Sequence, residues 1–126
     1  MQRLKNIIST VLLSSALTQV AFADSLQLSS DDISHGEFMA KAQEFQGFGC
    51  SGENVSPHLT WSGAPAETKA FAILAYDPDA PTGSGWWHWQ VVNIPADVST
   101  ISAGAGTVDG KRLPQGSRQI ENDYGS

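Results

Sequence analysis

The sequence predicts a single, mainly β domain, built as a sandwich or open barrel with long loops. Two segments, Phe71–Tyr76 and Trp86–Ile94, combine strand length with apolar, aromatic and β-branched residues. No run of ten or more residues carries the apolar stripe of an amphipathic helix. The other segments are short and rich in Gly, Pro, Ser and Asp, which favours strands joined by irregular connections.

The first 23 residues form a segment separate from this domain. Arg3 and Lys5 precede an apolar run from Ile7 to Leu17, and Ala21-Phe22-Ala23 has the small-x-small pattern of a cleavage site. This order is typical of a secretory signal peptide. The sequence therefore predicts a signal peptide at 1–23, a mature domain at 24–126 and a periplasmic or secreted protein. The apolar run is short and interrupted, so no integral membrane anchoring is expected.

The charge balance and the cysteine count limit the classes of partner. The sequence has seven basic and thirteen acidic residues, and removal of Arg3 and Lys5 with the signal peptide leaves a net charge of −8. Such an acidic chain is not expected to bind nucleic acid or an anionic membrane surface. Cys50 is the one cysteine of the sequence. In an oxidising compartment it indicates an intermolecular bond, a buried free thiol or a partner missing from the chain.

Short strands are predicted on the N-terminal side of the two main segments. Alternating apolar residues at 26, 28 and 33 suit an edge strand. Residues 47–57 are dense in turn formers and are predicted to be irregular, whereas 58–61 is predicted to be a short strand.

Phe71–Tyr76 and Trp86–Ile94 are predicted to be the central strands. Their apolar residues fall on both alternating faces, which predicts burial on both sides. Beyond Pro95 the sequence is loop-like with scattered apolar residues, and it supplies little material to cover two such strands.

A candidate site lies where these two strands meet. Asp77 closes the first strand and is held extended by Pro78, and His88 lies near the start of the second. Antiparallel pairing across the loop would bring both to the same end of the sheet, beside the indole of Trp86. Turn chemistry alone also explains Asp-Pro-Asp-Ala-Pro, and a lone histidine is often a core residue. Strand alternation places Trp86, His88 and Gln90 on one face and Trp87, Trp89 and Val91 on the other.

Other chemistries lack their sequence patterns. There is no G-x-S-x-G nucleophile elbow, and Gly83-Ser84-Gly85 lacks the lysine of a phosphate-binding loop. His35, His58 and His88 are isolated from one another, so the sequence predicts no metal site and no cofactor.

Several motifs resemble the phosphatidylethanolamine-binding protein (PEBP) family, specifically its bacterial Raf-kinase-inhibitor-like YbhB/YbcL branch. They are Gly47-Phe48-Gly49-Cys50 to Asn54-Val55-Ser56-Pro57, Leu59-Thr60-Trp61-Ser62-Gly63, Asp77-Pro78-Asp79-Ala80-Pro81, Gly85-Trp86-Trp87-His88-Trp89 and Val91-Val92-Asn93-Ile94-Pro95. The resemblance implies a β-sandwich with few short helices and a small anion pocket at one end.

The resemblance also implies residue roles. Asp77 and His88 would face an anionic, phosphate-type head group, with Trp86 as a wall of the pocket. Pro78, Asp79 and Pro81 would shape the loop. A cis proline is one way in which they would do so. Family members continue beyond Asn122-Asp123-Tyr124-Gly125 into a cysteine-containing loop and further strands. The resemblance therefore implies a domain incomplete at its C-terminus, lacking half of the pocket and the disulfide partner of Cys50.

The expected function is that of an exported, non-enzymatic protein that binds a small anionic ligand and modulates a protein partner. Two alternatives stay open. One is a hydrolase that uses Asp77 and His88 as an acid–base pair. The other is a truncated family member without function.

Overall fold

A computed structural model describes residues 25–125 of the chain. The signal peptide predicted for residues 1–23 lies outside the described residues. Residues 25–125 form eight strands and no helix, which confirms the mainly β prediction. The short helices implied by the resemblance do not occur in this range, and none of its elements is a helix able to cross a membrane.

The strands form two three-stranded antiparallel sheets and one small hairpin. The first sheet has the order β1-β4-β7 and the second the order β5-β6-β8, while β2 and β3 pair with each other. The strand bounds are β1 (Gln27–Ser29), β2 (Gln46–Gly47), β3 (Cys50–Ser51), β4 (Leu59–Ser62), β5 (Ala70–Asp77), β6 (Trp86–Pro95), β7 (Thr100–Ile101) and β8 (Arg118–Ile120).

Most of the predicted strands are present. The N-terminal edge strand, the short strand after residue 57 and the two central strands correspond to β1, β4, β5 and β6. The prediction that 47–57 is wholly irregular is wrong at one point, because Gly47 pairs with Cys50 in the β2–β3 hairpin. The turn between them places Phe48 at φ 50° and Gly49 at φ 90°, so left-handed residues reverse the chain within a span rich in turn formers.

The core lies between the two sheets. Six apolar side chains are buried there, five from the two sheets (Leu59, Trp61, Val91, Ile94 and Ile101) and Ala105 from the loop after β7. The indole of Trp61 in the first sheet meets the ring of Phe71 in the second edge to face, with centroids 5.3 Å apart. These contacts hold the two sheets together as the layers of a sandwich.

The prediction that both central strands are buried on both faces is wrong. Along β5 the residues alternate between exposed and half-buried, so only one face is directed to the core. Leu74 is 59% exposed and Tyr76 44% exposed on the outer face. Apolar composition therefore misled the prediction, because Ala72, Leu74 and Tyr76 are apolar positions that face outward.

A cluster of polar contacts around His58 joins β1 to the rest of the first sheet. The backbone amide of His58 donates to Asp32 Oδ2 at 2.6 Å, and His58 Nδ1 lies 3.2 Å from Asp31 Oδ2. On the other side of the ring, Nε2 lies 3.3 Å from the hydroxyl of Thr100 on β7. His58 thus links the segment after β1 to the start of β4 and to Thr100 of β7.

Candidate functional site

The ends of β5 and β6 bring the predicted site residues together. Asp77, the last residue of β5, is paired with Trp86, the first residue of β6. His88 Nε2 lies 4.0 Å from Asp77 Oδ2, at the limit of an ion pair and too far for a hydrogen bond. The structure therefore brings Asp77, Trp86 and His88 to the same end of the second sheet, as strand pairing predicts.

A bulge at His88 changes which side chains share a face. Ala75 pairs with Trp89 and Tyr76 pairs with Trp87, so His88 is the extra residue on β6. The prediction that Trp89 lies on the face opposite Trp86 is wrong, because one extra residue shifts the alternation of the strand. Trp89 faces the core, and its Nε1 donates to Gln119 Oε1 at 2.8 Å.

A second bulge follows in the same strand. Phe71 pairs with Ile94, and Ile73 pairs with Val91. Between these two pairs β6 has two residues, whereas β5 has one. Asn93 accommodates this with φ 56°, a left-handed conformation that asparagine tolerates better than most residues. As a result Val91 and Ile94, three positions apart, are both fully buried on the core face.

The loop between the strands is held by short-range hydrogen bonds. The backbone amide of Asp79 donates to Asp77 Oδ1 at 2.9 Å, which forms an Asx turn over Pro78. The hydroxyl of Thr82, directly after Pro81, donates to the carbonyl of Gly85 at 2.6 Å. No peptide bond in the described residues is cis, so the expectation of a cis proline is wrong. These two hydrogen bonds fold the loop with its prolines in trans.

Gly85 allows this loop to close against the sheet. Its φ is +71°, and a Cβ at this position would overlap the hydroxyl end of Tyr76. That hydroxyl donates to the carbonyl of Ser84 at 2.8 Å. Only glycine fits both the backbone conformation and the close approach of the phenol.

Tyr124 completes the site, although sequence reasoning did not assign it a role. Its hydroxyl lies 3.1 Å from His88 Nδ1. Its ring meets Trp86 and His88 at centroid distances of 5.4 Å each, both edge to face, and stacks on Phe45 at 4.0 Å. Aromatic rings thus flank the His88–Tyr124 pair, while His88 itself stays exposed.

The segment 122–125 is anchored to the start of β6. Asn122 Nδ2 donates to the carbonyl of His88 at 2.9 Å, and Asn122 Oδ1 accepts from the amide of Tyr124 at 3.0 Å. Asp123 bonds Trp87 twice, through its carboxylate to the amide at 2.8 Å and through its amide to the carbonyl at 3.1 Å. The only sequence signal for this segment was its match to the family motif Asn122-Asp123-Tyr124-Gly125.

Tyr124 is held in its protonated form by its surroundings. Burial raises the pKa of Tyr124 above its ordinary value of 10.0 because the phenolate would lose hydration. Negative charge on Cys50 and on Asp77 acts in the same direction, whereas the nearby indole of Trp86 opposes the rise in pKa. At neutral pH Tyr124 therefore offers a hydroxyl that can donate or accept a hydrogen bond.

Trp86 offers a further donor. Its Nε1 is buried and meets no acceptor within the usual hydrogen-bond geometry among residues 25–125, although it lies close enough to the Tyr124 hydroxyl to lower the pKa of that phenol. Leaving a buried donor without a partner costs about 1–3 kcal/mol of free energy. An acceptor atom of a ligand bound at this site would offset that cost. The indole is both a wall of the site and an unused hydrogen-bond donor.

Cys50 lies near this site on β3 and is exposed, with no disulfide in the described residues. The interpretation of Cys50 as a buried free thiol is therefore wrong. An intermolecular bond and a partner outside this sequence both stay as predictions.

A cleft continues from the site into the space between the sheets. It has a volume of about 860 Å³. Asp77, His88 and Tyr124 line one end, and apolar side chains such as Leu28, Phe71 and Ile73 line the remainder. Among residues 25–125, no three His, Cys, Asp or Glu side chains come close enough together to hold a metal ion.

Comparison with known proteins gives the family. The family model described as "Phosphatidylethanolamine-binding protein" matches residues 29–126, which is most of the chain. The chain belongs to the phosphatidylethanolamine-binding protein family.

Two relatives place the chain within this family. Over 119 residues it is 54% identical to the UPF0098 protein YbcL of Escherichia coli (strain K12), covering 94% of this chain and 64% of that protein. Over 100 residues it is 46% identical to YbhB of the same strain, covering 79% of this chain and 63% of that protein. The chain thus spans less than two thirds of the length of these relatives.

The solved structures agree with the fold. The crystal structure of E. coli YbcL, described as a new member of the mammalian PEBP family, superposes with a TM-score of 0.78 at 56% identity. The match covers 79% of this chain and 61% of that one. The PEBP-like β architecture expected from the motifs is therefore confirmed, as is the YbhB/YbcL branch.

Proposed function

We propose that this protein is exported and binds a small anionic ligand with a phosphate-type head group, without altering it chemically. One observation carries the proposal: His88 and Tyr124, 36 positions apart in the chain, meet at one end of a cleft, and the indole of Trp86 packs against Tyr124. Each offers a nitrogen or oxygen that can donate a hydrogen bond. Such a small polar set with apolar walls is how ligand sites are commonly built.

The geometry suits an acceptor-rich ligand. A phosphate-type group carries only acceptor oxygens when ionised, and it would satisfy the unpartnered indole N–H of Trp86. Tyr124 is protonated at neutral pH, as a phenol is even at its ordinary pKa of 10.0, so it can donate to the same ligand. Pro78, Asp79 and Pro81 support the site by shaping the loop that positions Asp77, rather than by contacting the ligand.

Asp77 is positioned to orient His88. Its carboxylate lies 4.0 Å from Nε2 of the imidazole. Carboxylates orient histidines at metal sites in the same way.

Family membership supports the same ligand class. The family is named for binding phosphatidylethanolamine, whose head group contains a phosphate. The signal peptide predicted at residues 1–23 supports export, and expression of the full chain in a bacterium followed by separation of periplasm and cytoplasm tests it. Recovery of uncleaved protein in the cytoplasm would contradict export.

Isothermal titration with inorganic phosphate and with phosphorylethanolamine tests the binding site. The purified protein should bind, and His88→Ala and Asp77→Ala should abolish the heat. His35→Gln is the matched control, because His35 is an exposed histidine outside the site. Equal binding by the wild type and His88→Ala would overturn the assignment.

A second candidate function rests on the row of ionisable groups. The carboxylate of Asp77 faces Nε2 of the His88 imidazole, and the hydroxyl of Tyr124 faces its Nδ1. General acid–base catalysis can use such an arrangement. Assays with ester, phosphoester and glycoside substrates distinguish the two functions. Turnover that is lost in His88→Ala and kept in His35→Gln would favour a hydrolase, and absence of turnover alongside anion binding would favour the binding protein.

Modulation of a protein partner is the remaining part of the proposal. It rests on the resemblance to the Raf-kinase-inhibitor-like branch, which is an analogy of family. Capture of the same protein from periplasmic extract by the wild type, and its loss with His88→Ala, would link the partner to the ligand site.

A further inference from the structure

The bulge in β6 directs two successive side chains to the cleft. His88 and Trp89 are neighbours in the chain, yet both line the space between the sheets. In a strand with regular alternation, neighbouring side chains point to opposite faces. A bulge interrupts that alternation and changes the direction of a side chain. The direction of the His88 imidazole therefore depends on where in β6 the bulge lies.

Backbone pairing leaves three positions for this bulge. On one side of it Tyr76 pairs with Trp87, and on the other side Ile73 pairs with Val91. Between these two pairs β5 has two residues and β6 has three, which are residues 88–90. Each of the three satisfies the count as the extra residue. The choice among them must come from side chains.

Trp89 decides between these positions. With the extra residue at 88, Trp89 pairs with Ala75 and packs against the core. With the extra residue at 89 or 90, His88 would pair with Ala75 instead, and Trp89 would lose that place. His88 would then lie opposite Ala75, away from Asp77. Whatever holds the indole of Trp89 on the core face thus holds the bulge at His88.

Gln119 on β8 holds this indole. Trp89 Nε1 donates to Gln119 Oε1 at 2.8 Å, and Gln119 Nε2 donates to the carbonyl of Thr107 at 3.0 Å. Both polar atoms of the Gln119 amide are therefore used, which fixes its orientation. Both hydrogen bonds are partly buried, so each is stronger than it would be in water. Gln119 also lies opposite Val91 in the ladder, just beyond the bulge.

Gly106 confines the same edge of the indole. A Cβ at this position would lie 2.9 Å from both Cε2 and Nε1 of Trp89. The amide of Gly106 donates to Ser56 Oγ at 2.8 Å, which fixes the backbone beside the ring. The indole is thus held by a hydrogen bond to Gln119 and by close contact with Gly106.

We propose that Gln119 is a positioning residue of the anion site, which fixes the bulge at His88 by accepting the hydrogen bond of Trp89. The imidazole is thereby directed toward Asp77 and Tyr124. Gln119 acts through Trp89 and not by contact with the ligand. The effect on the ligand rests on the proposed function, whereas the placement of the imidazole does not.

Nuclear magnetic resonance of the histidine side chains tests the placement without any ligand. The chain has three histidines, His35, His58 and His88. Gln119→Met keeps the length of the side chain but removes both hydrogen-bonding groups. Its His88 imidazole signals should shift, because the bulge is no longer held at one position, while those of His35 and His58 should not. General loss of packing would also move His58, so a shift confined to His88 indicates positioning.

Isothermal titration with inorganic phosphate measures the consequence for the ligand. Gln119→Met should raise the Kd roughly three- to tenfold, the effect of one hydrogen bond. Gln90→Met is the matched control. Gln90 is the next residue after Trp89 in β6, and its side chain is directed to the carbonyl of Glu121 at 3.5 Å instead of the indole. This control should leave both the Kd and the His88 signals unchanged.

Gly106→Ala gives an independent variant, which tests the inference even if Gln119→Met does not fold. Its Cβ would displace the indole of Trp89 while Gln119 stays intact. The φ of Gly106 is not in the left-handed region, so alanine adds no backbone strain of that kind. This variant should shift the His88 signals and raise the Kd, as Gln119→Met does.

The outcomes separate this inference from the proposed function. Unchanged His88 signals in Gln119→Met and Gly106→Ala would overturn the inference, as would shifts of His58 as large as those of His88. Shifted His88 signals with an unchanged Kd would overturn the link to the anion site. Absence of phosphate binding by the wild type would contradict the proposed function alone, because the His88 signals still test the position of the bulge.

Discussion

The hydroxyl of Tyr124 lies 3.1 Å from His88 Nδ1, although the two residues are 36 positions apart in the chain. The other nitrogen of the same ring faces Asp77 at 4.0 Å. His88 is therefore placed between a hydroxyl and a carboxylate, one at each nitrogen of its ring. This relationship defines what substitutions at the site should do.

Tyr124→Phe should weaken binding of inorganic phosphate without unfolding the protein. The variant loses the hydroxyl but keeps the ring that stacks on Phe45 at 4.0 Å. The loss of one neutral hydrogen bond corresponds to about 0.5–1.5 kcal/mol, or a severalfold increase in Kd. Isothermal titration measures the Kd and thermal melting checks the fold; an unchanged Kd would remove Tyr124 from the ligand site.

Alkaline pH should destabilise the wild type more than Tyr124→Phe. Because the folded-state pKa of Tyr124 is raised, its stabilising effect is fully present below about pH 10 and is lost as pH rises through the raised value. Urea unfolding at a series of pH values from neutral to strongly alkaline measures this. Parallel losses of unfolding free energy in the two proteins would contradict the burial of the phenol.

Gly85→Ala should cost more stability than Gly83→Ala. Both glycines have positive φ, +71° and +80°, so each alanine costs about 1–2 kcal/mol of backbone strain. A Cβ at residue 85 would in addition displace Tyr76, whereas nothing lies within 4 Å of a Cβ at residue 83. Equal urea midpoints for the two variants would show that the phenol moves aside without cost.

Ile94→Ala should lower the free energy of unfolding by about 2–5 kcal/mol. Ile94 is fully buried between the sheets, and the described core has only six buried members, so the cavity has few neighbours to fill it. Val108→Ala, at a residue 77% exposed, should change the free energy by less than about 0.5 kcal/mol. Urea unfolding followed by tryptophan fluorescence compares them, and similar losses would contradict the placement of the core.

The sequence predicted the strands better than their faces. β5 and β6 were predictable because their apolar and β-branched residues form continuous runs. The bulges at His88 and Asn93 were not, because no residue type marks the extra position at His88, and an asparagine within a strand permits a left-handed bulge residue without predicting one. Leu74 and Tyr76 are apolar and exposed, and residue type alone does not distinguish such a face from a buried one.

The site was predicted in part. Asp77, Trp86 and His88 were found because a single loop brings them together, so local sequence determines their proximity. Tyr124 comes from a distant segment, and it reaches His88 because Asn122 and Asp123 bond the backbone of β6. Contacts of that range depend on tertiary structure rather than on spacing, and only the motif resemblance drew attention to the segment.

The attachment of residues 122–125 has a consequence for the dynamics of the site. This turn is joined to β6 through hydrogen bonds at Trp87 and His88, outside the buried core. Local opening that breaks these few bonds would release Tyr124 and uncover His88 while Val91 and Ile94 stayed packed. In amide hydrogen exchange, the amides of Trp87 and Asp123 should therefore exchange well before that of Val91. The candidate site would then open and close on a timescale of its own, without global unfolding of the sandwich.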